Sequence, residues 1–178
     1  MANLKAAAGV RKPSLVTRYI MLGGRDDITD LTNLRALGIS HVLNLTSIVP
    51  NHFPDALIYH NIPMQDAESV NITEFAPAAC SFIRHVERVK GRVMVHCIAG
   101  VSRSVTLVMM HLMAAHHLRL RHAYEFVESV RSFIQPNEGF KLQLALFEVA
   151  LYKSSSIAQN KPNRPGYHKA WDFYGWNR

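Results

Sequence analysis

The chain of 178 residues has only two cysteines, Cys80 and Cys97, and no C-x-x-C pair. That count excludes a disulfide framework and a thiolate zinc site, so the expected compartment is reducing and any reactive cysteine is there for chemistry. Also missing is any apolar run near the roughly 18 to 20 residues of a membrane-spanning helix. The opening MANLKAAAGV has neither a long apolar core nor the glycine at position 2 that myristoylation requires. The expectation is a cytoplasmic or nuclear protein without a transmembrane segment, and the sequons at Asn44 and Asn71 should carry no sugar. There is no internal repeat. Even the net charge of +7 is absent from the body: residues 1–12 carry three positives and 153–178 carry five against Asp172, leaving 12 of each sign between them. A nucleic-acid binder concentrates basic residues on a folded face, so no nucleic-acid partner is expected and the tail is read as a tether for an acidic partner.

What is present is 48% hydrophobic, 9% aromatic and 19% charged, the balance of one folded domain. Residues 19–22, 41–45, 57–62 and 92–96 read as strands, and Val93-Met94-Val95, apolar throughout, reads as a central one. Helical spacing runs through Ile28, Leu31 and Leu34; through Phe75, Ala79, Phe82, Val86 and Val89; through Ala123, Val127, Val130 and Ile134; and through Phe140, Leu144, Phe147 and Leu151. Asn71-Ile72-Thr73-Glu74 has the form of a capping box. Residues 105–118 are apolar around most of a helix, which predicts burial in the middle of the molecule, with the methionines as core. The pattern is α/β: a sheet flanked by helices, the helical excess on one side.

The informative stretch is His96-Cys97-Ile98-Ala99-Gly100-Val101-Ser102-Arg103-Ser104, between the buried strand and the buried helix. Such a strand, tight loop and helix aim backbone N–H groups and the positive helix end into one concavity, which suits a phosphoryl group. Gly100 permits the turn, and the backbone of Ile98, Ala99, Gly100, Val101, Ser102 and Arg103 is the candidate phosphate cradle. Cys97 would be held as a thiolate there and act as nucleophile. Arg103 can place its planar fork on two phosphoryl oxygens. Ser104 can donate to the departing sulfur, and His96 can brace the loop. Attack by sulfur gives a cysteinyl-phosphate and splits hydrolysis into two steps, which need a carboxylic acid and then its carboxylate. Asp66, in the loop Pro63-Met64-Gln65-Asp66 after a strand, is the candidate; Glu68 and then Asp55 are the fallbacks.

These blocks resemble the cysteine-dependent dual-specificity protein phosphatases of the small, atypical kind. The H-C-x-x-G-x-S-R-S loop is His96 to Ser104, and Asp66 stands 31 residues before the cysteine. The later pattern Ala123-Tyr124, Val127, Arg131, Ile134, Pro136-Asn137, Gly139-Phe140 and Gln143-Leu144 follows in order. The resemblance implies a protein tyrosine phosphatase-like fold with a central, mostly parallel sheet of about five strands, opened by a strand pair in residues 15–24. It implies hydrolysis of phosphotyrosine and phosphoserine or phosphothreonine in protein substrates without metal or other cofactor, and inhibition by vanadate. It divides the chain into a flexible N-terminus (1–13), the catalytic domain (14–152) and a basic, aromatic tail (153–178). Apolar Ile98, Ala99 and Val101 argue against a phosphoinositide substrate, and Ser102 against a glucan phosphatase. The alternatives are a phosphopeptide-binding scaffold that keeps the cradle without turnover, a lipid or RNA phosphatase, and a rhodanese-like sulfur transferase. Cys80 is read as a core residue on a helix, with a resolving thiol for oxidised Cys97 as the alternative. His111, His116 and His117 match no zinc signature and are read as packing and surface residues.

Overall fold

A computed structural model describes residues 12–157. The expectations for the first eleven residues and for the aromatic tail (Tyr167, Trp171, Phe173, Tyr174, Trp176) lie outside the described residues. Five strands, β1 (Ser14–Thr17), β2 (Ile20–Gly23), β3 (His41–Asn44), β4 (Ile58–Asn61) and β5 (Val93–His96), form one sheet in the order β1-β2-β5-β3-β4. Only the β1–β2 pair is antiparallel. β5 is therefore the central strand, and every residue of it is buried, as its unbroken apolar run requires.

Strand alternation divides the core in two. Ile20, Leu22, Leu43, Val93 and Val95 point to one face, where α2 (Ala76–Arg88), α3 (Arg103–His116), α4 (Leu120–Val130) and α5 (Glu138–Tyr152) build the larger cluster. Met21, Val42 and Met94 point to the other, covered by the short α1 (Leu31–Ala36) and the loops around it. The helices are thus on one side in excess, with α3 in the middle: residues 102–113 are all buried, and α2, α4 and α5 each pack against α3.

Several local expectations shift. Ile28 does not begin α1 but ends a 3-10 turn (Arg25–Ile28), because the Asp30 carboxylate accepts the N–H groups of Thr32 and Asn33 and starts the helix there. Asn71 does not cap an α-helix: it opens a 3-10 turn (Ile72–Glu74), and its side chain bonds the Glu74 and Thr73 side chains instead of backbone N–H groups. Ile134 lies beyond α4, which ends at Val130 with Arg131 in a non-helical conformation. Packing also continues past 152, since Ile157 is fully buried and Ser156 donates its N–H to Glu148 at 2.8 Å. Burial alone would raise the Glu148 pKa, but hydrogen bonds from Arg119, Ser156 and Leu120 lower it, so this carboxylate ties the start of α4 to the end of α5.

Candidate active site

The loop after β5 lies between the central strand and the N-terminus of α3, and Gly100 gives it its shape. Its φ of +66° is a left-handed conformation, and a Cβ there would run into the Gly23 carbonyl and the Arg131 guanidinium. The loop's carbonyls are taken up from outside: Ile98 by the Arg25 N–H at 2.9 Å, Gly100 by Arg131 Nε at 2.7 Å, and Val101 by the Gln135 N–H at 2.8 Å. A trans peptide aims its N–H opposite to its C=O, so the N–H groups of Ala99, Val101 and Ser102 face away from this scaffold. Arg131 is one of the largest fully buried side chains; it also donates to the Lys12 carbonyl and the Ser14 hydroxyl, which fastens the loop to β1.

Cys97 is fully buried. Its Sγ accepts the Gly100 N–H at 3.2 Å and lies 3.4 Å from Ser104 Oγ. Burial alone would push the thiol pKa up; the Ser104 hydroxyl and N–H, the Arg103 charge and the Gly100 N–H together pull it below its ordinary value. His96 is also buried, and its Nδ1 lies 3.3 Å from the adjacent Cys97 carbonyl. Burial, with a smaller contribution from His52 and Arg103, pulls its pKa down to about 4, so the ring is neutral at pH 7. Cys80 is the opposite case from Cys97: buried on α2, its thiol is raised to about 11 by desolvation.

Asp66 follows β4 in the expected loop and arrives over the cysteine loop. Its Oδ1 accepts hydrogen bonds from the Ser102 hydroxyl at 2.7 Å and from Asn137 Nδ2 at 2.8 Å. Its Oδ2 lies 3.5 Å from Arg103 Nε, a charge contact without hydrogen-bond alignment. Arg103 in turn donates from Nη1 to the Met64 carbonyl at 3.0 Å. The Asp66 side chain is 30% exposed, whereas that of Arg103 is 10% exposed, so the carboxylate is the more open to solvent of the two. Glu68 contributes its backbone instead: Gly139 packs so closely on it that a Cβ would collide with the Glu68 carbonyl. Gln143 completes this seam, accepting the Ile72 N–H and donating to the Val70 carbonyl, each at 2.8 Å. Asp55 is exposed and precedes β4.

Cys97, Arg103, Ser104 and Asp66 are thus brought together, as expected from the sequence. Asn137, Ser102 through its hydroxyl, and Arg131 had no functional assignment. Asn137 carries a visible signal, being the cap of α5 that accepts the Phe140 N–H, but its second bond to Asp66 spans 71 residues and has no local signature.

The sequence model of the family described as "Dual specificity phosphatase, catalytic domain" matches residues 20–150. Mouse dual specificity protein phosphatase 2 is 40% identical over 136 residues, which cover 76% of this chain and 43% of that protein. Human dual specificity protein phosphatase 7 is 41% identical over 145 residues, 80% of this chain and 35% of that protein. The chain therefore spans about two fifths of the length of these curated relatives. Among solved structures, human tyrosine phosphatase-like serine/threonine/tyrosine-interacting protein superposes with a TM-score of 0.76 at 28% identity, covering 82% of this chain and 100% of the other. A variant of human DUSP28 gives 0.77 at 25% identity with the same coverage.

Proposed function

Since the chain belongs to the dual specificity phosphatase catalytic-domain family, within the cysteine-dependent protein tyrosine phosphatase superfamily, we propose that it is a protein phosphatase acting on phosphotyrosine and on phosphoserine or phosphothreonine. The observation that carries this reading is the pairing of a buried, acidified thiol at the N-terminus of α3 with an Arg103–Asp66 contact directly beside it.

In this reading a phosphoryl dianion enters the cradle and takes over the Arg103 guanidinium, a better match for its planar fork than the 3.5 Å contact with Asp66. Asp66 is thereby freed to face the leaving oxygen, still held by Ser102 and Asn137. The Cys97 thiolate attacks phosphorus in line, the P–O bond breaks, and Asp66 gives its proton to the departing alkoxide or phenoxide. The resulting Asp66 carboxylate takes a proton from water, which attacks the cysteinyl-phosphate and releases phosphate and thiolate. Ser104, 3.4 Å from the sulfur, stabilises the thiolate as it leaves. None of these steps draws on a metal. The apolar side chains of Ile98, Ala99 and Val101 support a singly phosphorylated protein over a polyphosphorylated lipid.

The second reading is a phosphopeptide-binding scaffold, favoured by one observation: a structural neighbour is itself called phosphatase-like and interacting. Turnover of a small aryl phosphate in chelator, with vanadate as control, separates the two. Wild type should turn over, and Cys97→Ser should lose about 10⁴-fold or more. Undiminished turnover by Cys97→Ser would overturn the mechanism, while a silent wild type that still binds phosphopeptide would establish the scaffold.

A further inference from the structure

At the far end of α3 from Cys97, two of its histidines meet a glutamate of α2. His111 Nε2 lies 3.2 Å and His116 Nε2 3.1 Å from the same atom, Glu87 Oε1. The three donor atoms all lie within 4.8 Å of one another, and the imidazoles stand edge to face with centroids 5.3 Å apart. We propose that Glu87, His111 and His116 form a binding site for a divalent transition-metal ion of the zinc class, which clips α2 to α3 away from the phosphatase centre.

The donor set is the first argument. Two imidazoles and one carboxylate suit zinc and its neighbours, leaving a fourth position for water. Geometry is the second: bonds of about 2.0 to 2.1 Å in a tetrahedron put ligand atoms roughly 3.3 to 3.4 Å apart. The separations of 3.1 and 3.2 Å from Glu87 Oε1 need only a small opening, with the two imidazole nitrogens within 4.8 Å of each other, for an ion to replace the two hydrogen bonds. Access is the third. His111 is fully buried in an otherwise apolar stretch, whereas the His116 side chain is 42% and that of Glu87 15% exposed, so an ion reaches the buried ligand past an exposed one. The ligands sit on two helices packed against each other, so the site is largely preorganised. The C-terminal end of α3, which His117 closes in a left-handed conformation, adds a partial negative charge.

Two features moderate the affinity. Arg84, one turn before Glu87, adds an opposing charge. His111 Nδ1 has no hydrogen-bond partner among the described residues, so this ligand lacks the outer support that strengthens metal-bound imidazole. No spacing signature could announce the site, because its carboxylate comes from 24 residues before His111 on a different helix. The competing reading is a pair of interhelical hydrogen bonds and nothing more.

The test uses the full chain stripped with chelator and titrated with zinc by calorimetry, and with cobalt(II) followed by absorption. Because the Cys97 thiolate is itself a zinc ligand, the titrations are run in the Cys97→Ser background. One ion per chain, a raised Tm and tetrahedral cobalt bands without thiolate charge transfer are expected. Glu87→Gln and His116→Ala should each weaken binding at least about 10-fold, and Arg84→Gln should tighten it. His116 is exposed, so its substitution leaves the fold intact and circular dichroism verifies this. No uptake by Cys97→Ser, or uptake unchanged by His116→Ala, would overturn the proposal whatever the catalytic activity proves to be.

Discussion

The two ends of α3 are built for opposite charges. At its N-terminus, Cys97 is acidified by amides, a hydroxyl and Arg103, and the N–H groups of Ala99, Val101 and Ser102 are turned from the scaffold. Toward its C-terminal end, about 12 to 20 Å along the helix axis, two imidazoles and a carboxylate converge. The macrodipole points the same way at both ends, favouring an anion at the start and a cation at the finish. Yet one end is a proposed reaction site and the other a proposed clip, because surroundings outweigh the dipole. Cys80 makes the same point within the thiols: desolvation raises it to about 11, whereas in Cys97 hydrogen-bond donors and the Arg103 charge outweigh desolvation.

Breaking the N-terminal end should produce the largest effect. Arg103→Lys keeps the charge but loses the fork, and turnover of the aryl phosphate should fall by roughly 10² to 10³ while the Tm changes little. Next is His96, where the sign follows from its lowered pKa. Between pH 6.5 and about 4 the unfolded chain binds a proton that the native ring refuses, so stability drops as pH falls through that window. Chemical denaturation should show this loss reaching about 3 kcal/mol near pH 4, and His96→Gln should flatten that part of the slope. A smaller effect is expected at Asn137, which holds Asp66 from a distance. Asn137→Ala should lower kcat about 10-fold with KM nearly unchanged, and Asn137→Ser should not restore it, because the shorter side chain keeps the helix cap without reaching Asp66. Smallest of all, His116→Ala in chelator should leave kcat unchanged within about twofold, which checks that the two ends act independently.

The parts read correctly from sequence were the ones with local signatures. β5 announced itself by an unbroken apolar run, α3 by its apolar circumference, and the loop between them by a compact motif whose glycine does occupy a left-handed conformation. Asp66 was placed by its position after a strand. The misread elements were those where tertiary partners overrode local pattern. Asn71 looks like a helix cap, yet its side chain is spent on Thr73 and Glu74, and Gln143 of α5 takes the Ile72 N–H. Ile134 continues the helical period of α4, but the chain leaves the helix at Arg131, whose side chain is drawn to Gly100, Ser14 and Lys12.

By itself, then, the sequence determined the alternation of strands and helices, the family and the choice of Cys97 as the proposed nucleophile, because these depend on periodicity and on neighbours within a few residues. Only the tertiary structure decided which groups support Asp66, what anchors the loop, and that Glu87 meets His111 and His116. Those pairings join residues 24 to 119 positions apart, and contacts of that range exist only once the sheet has set the distances between helices and loops.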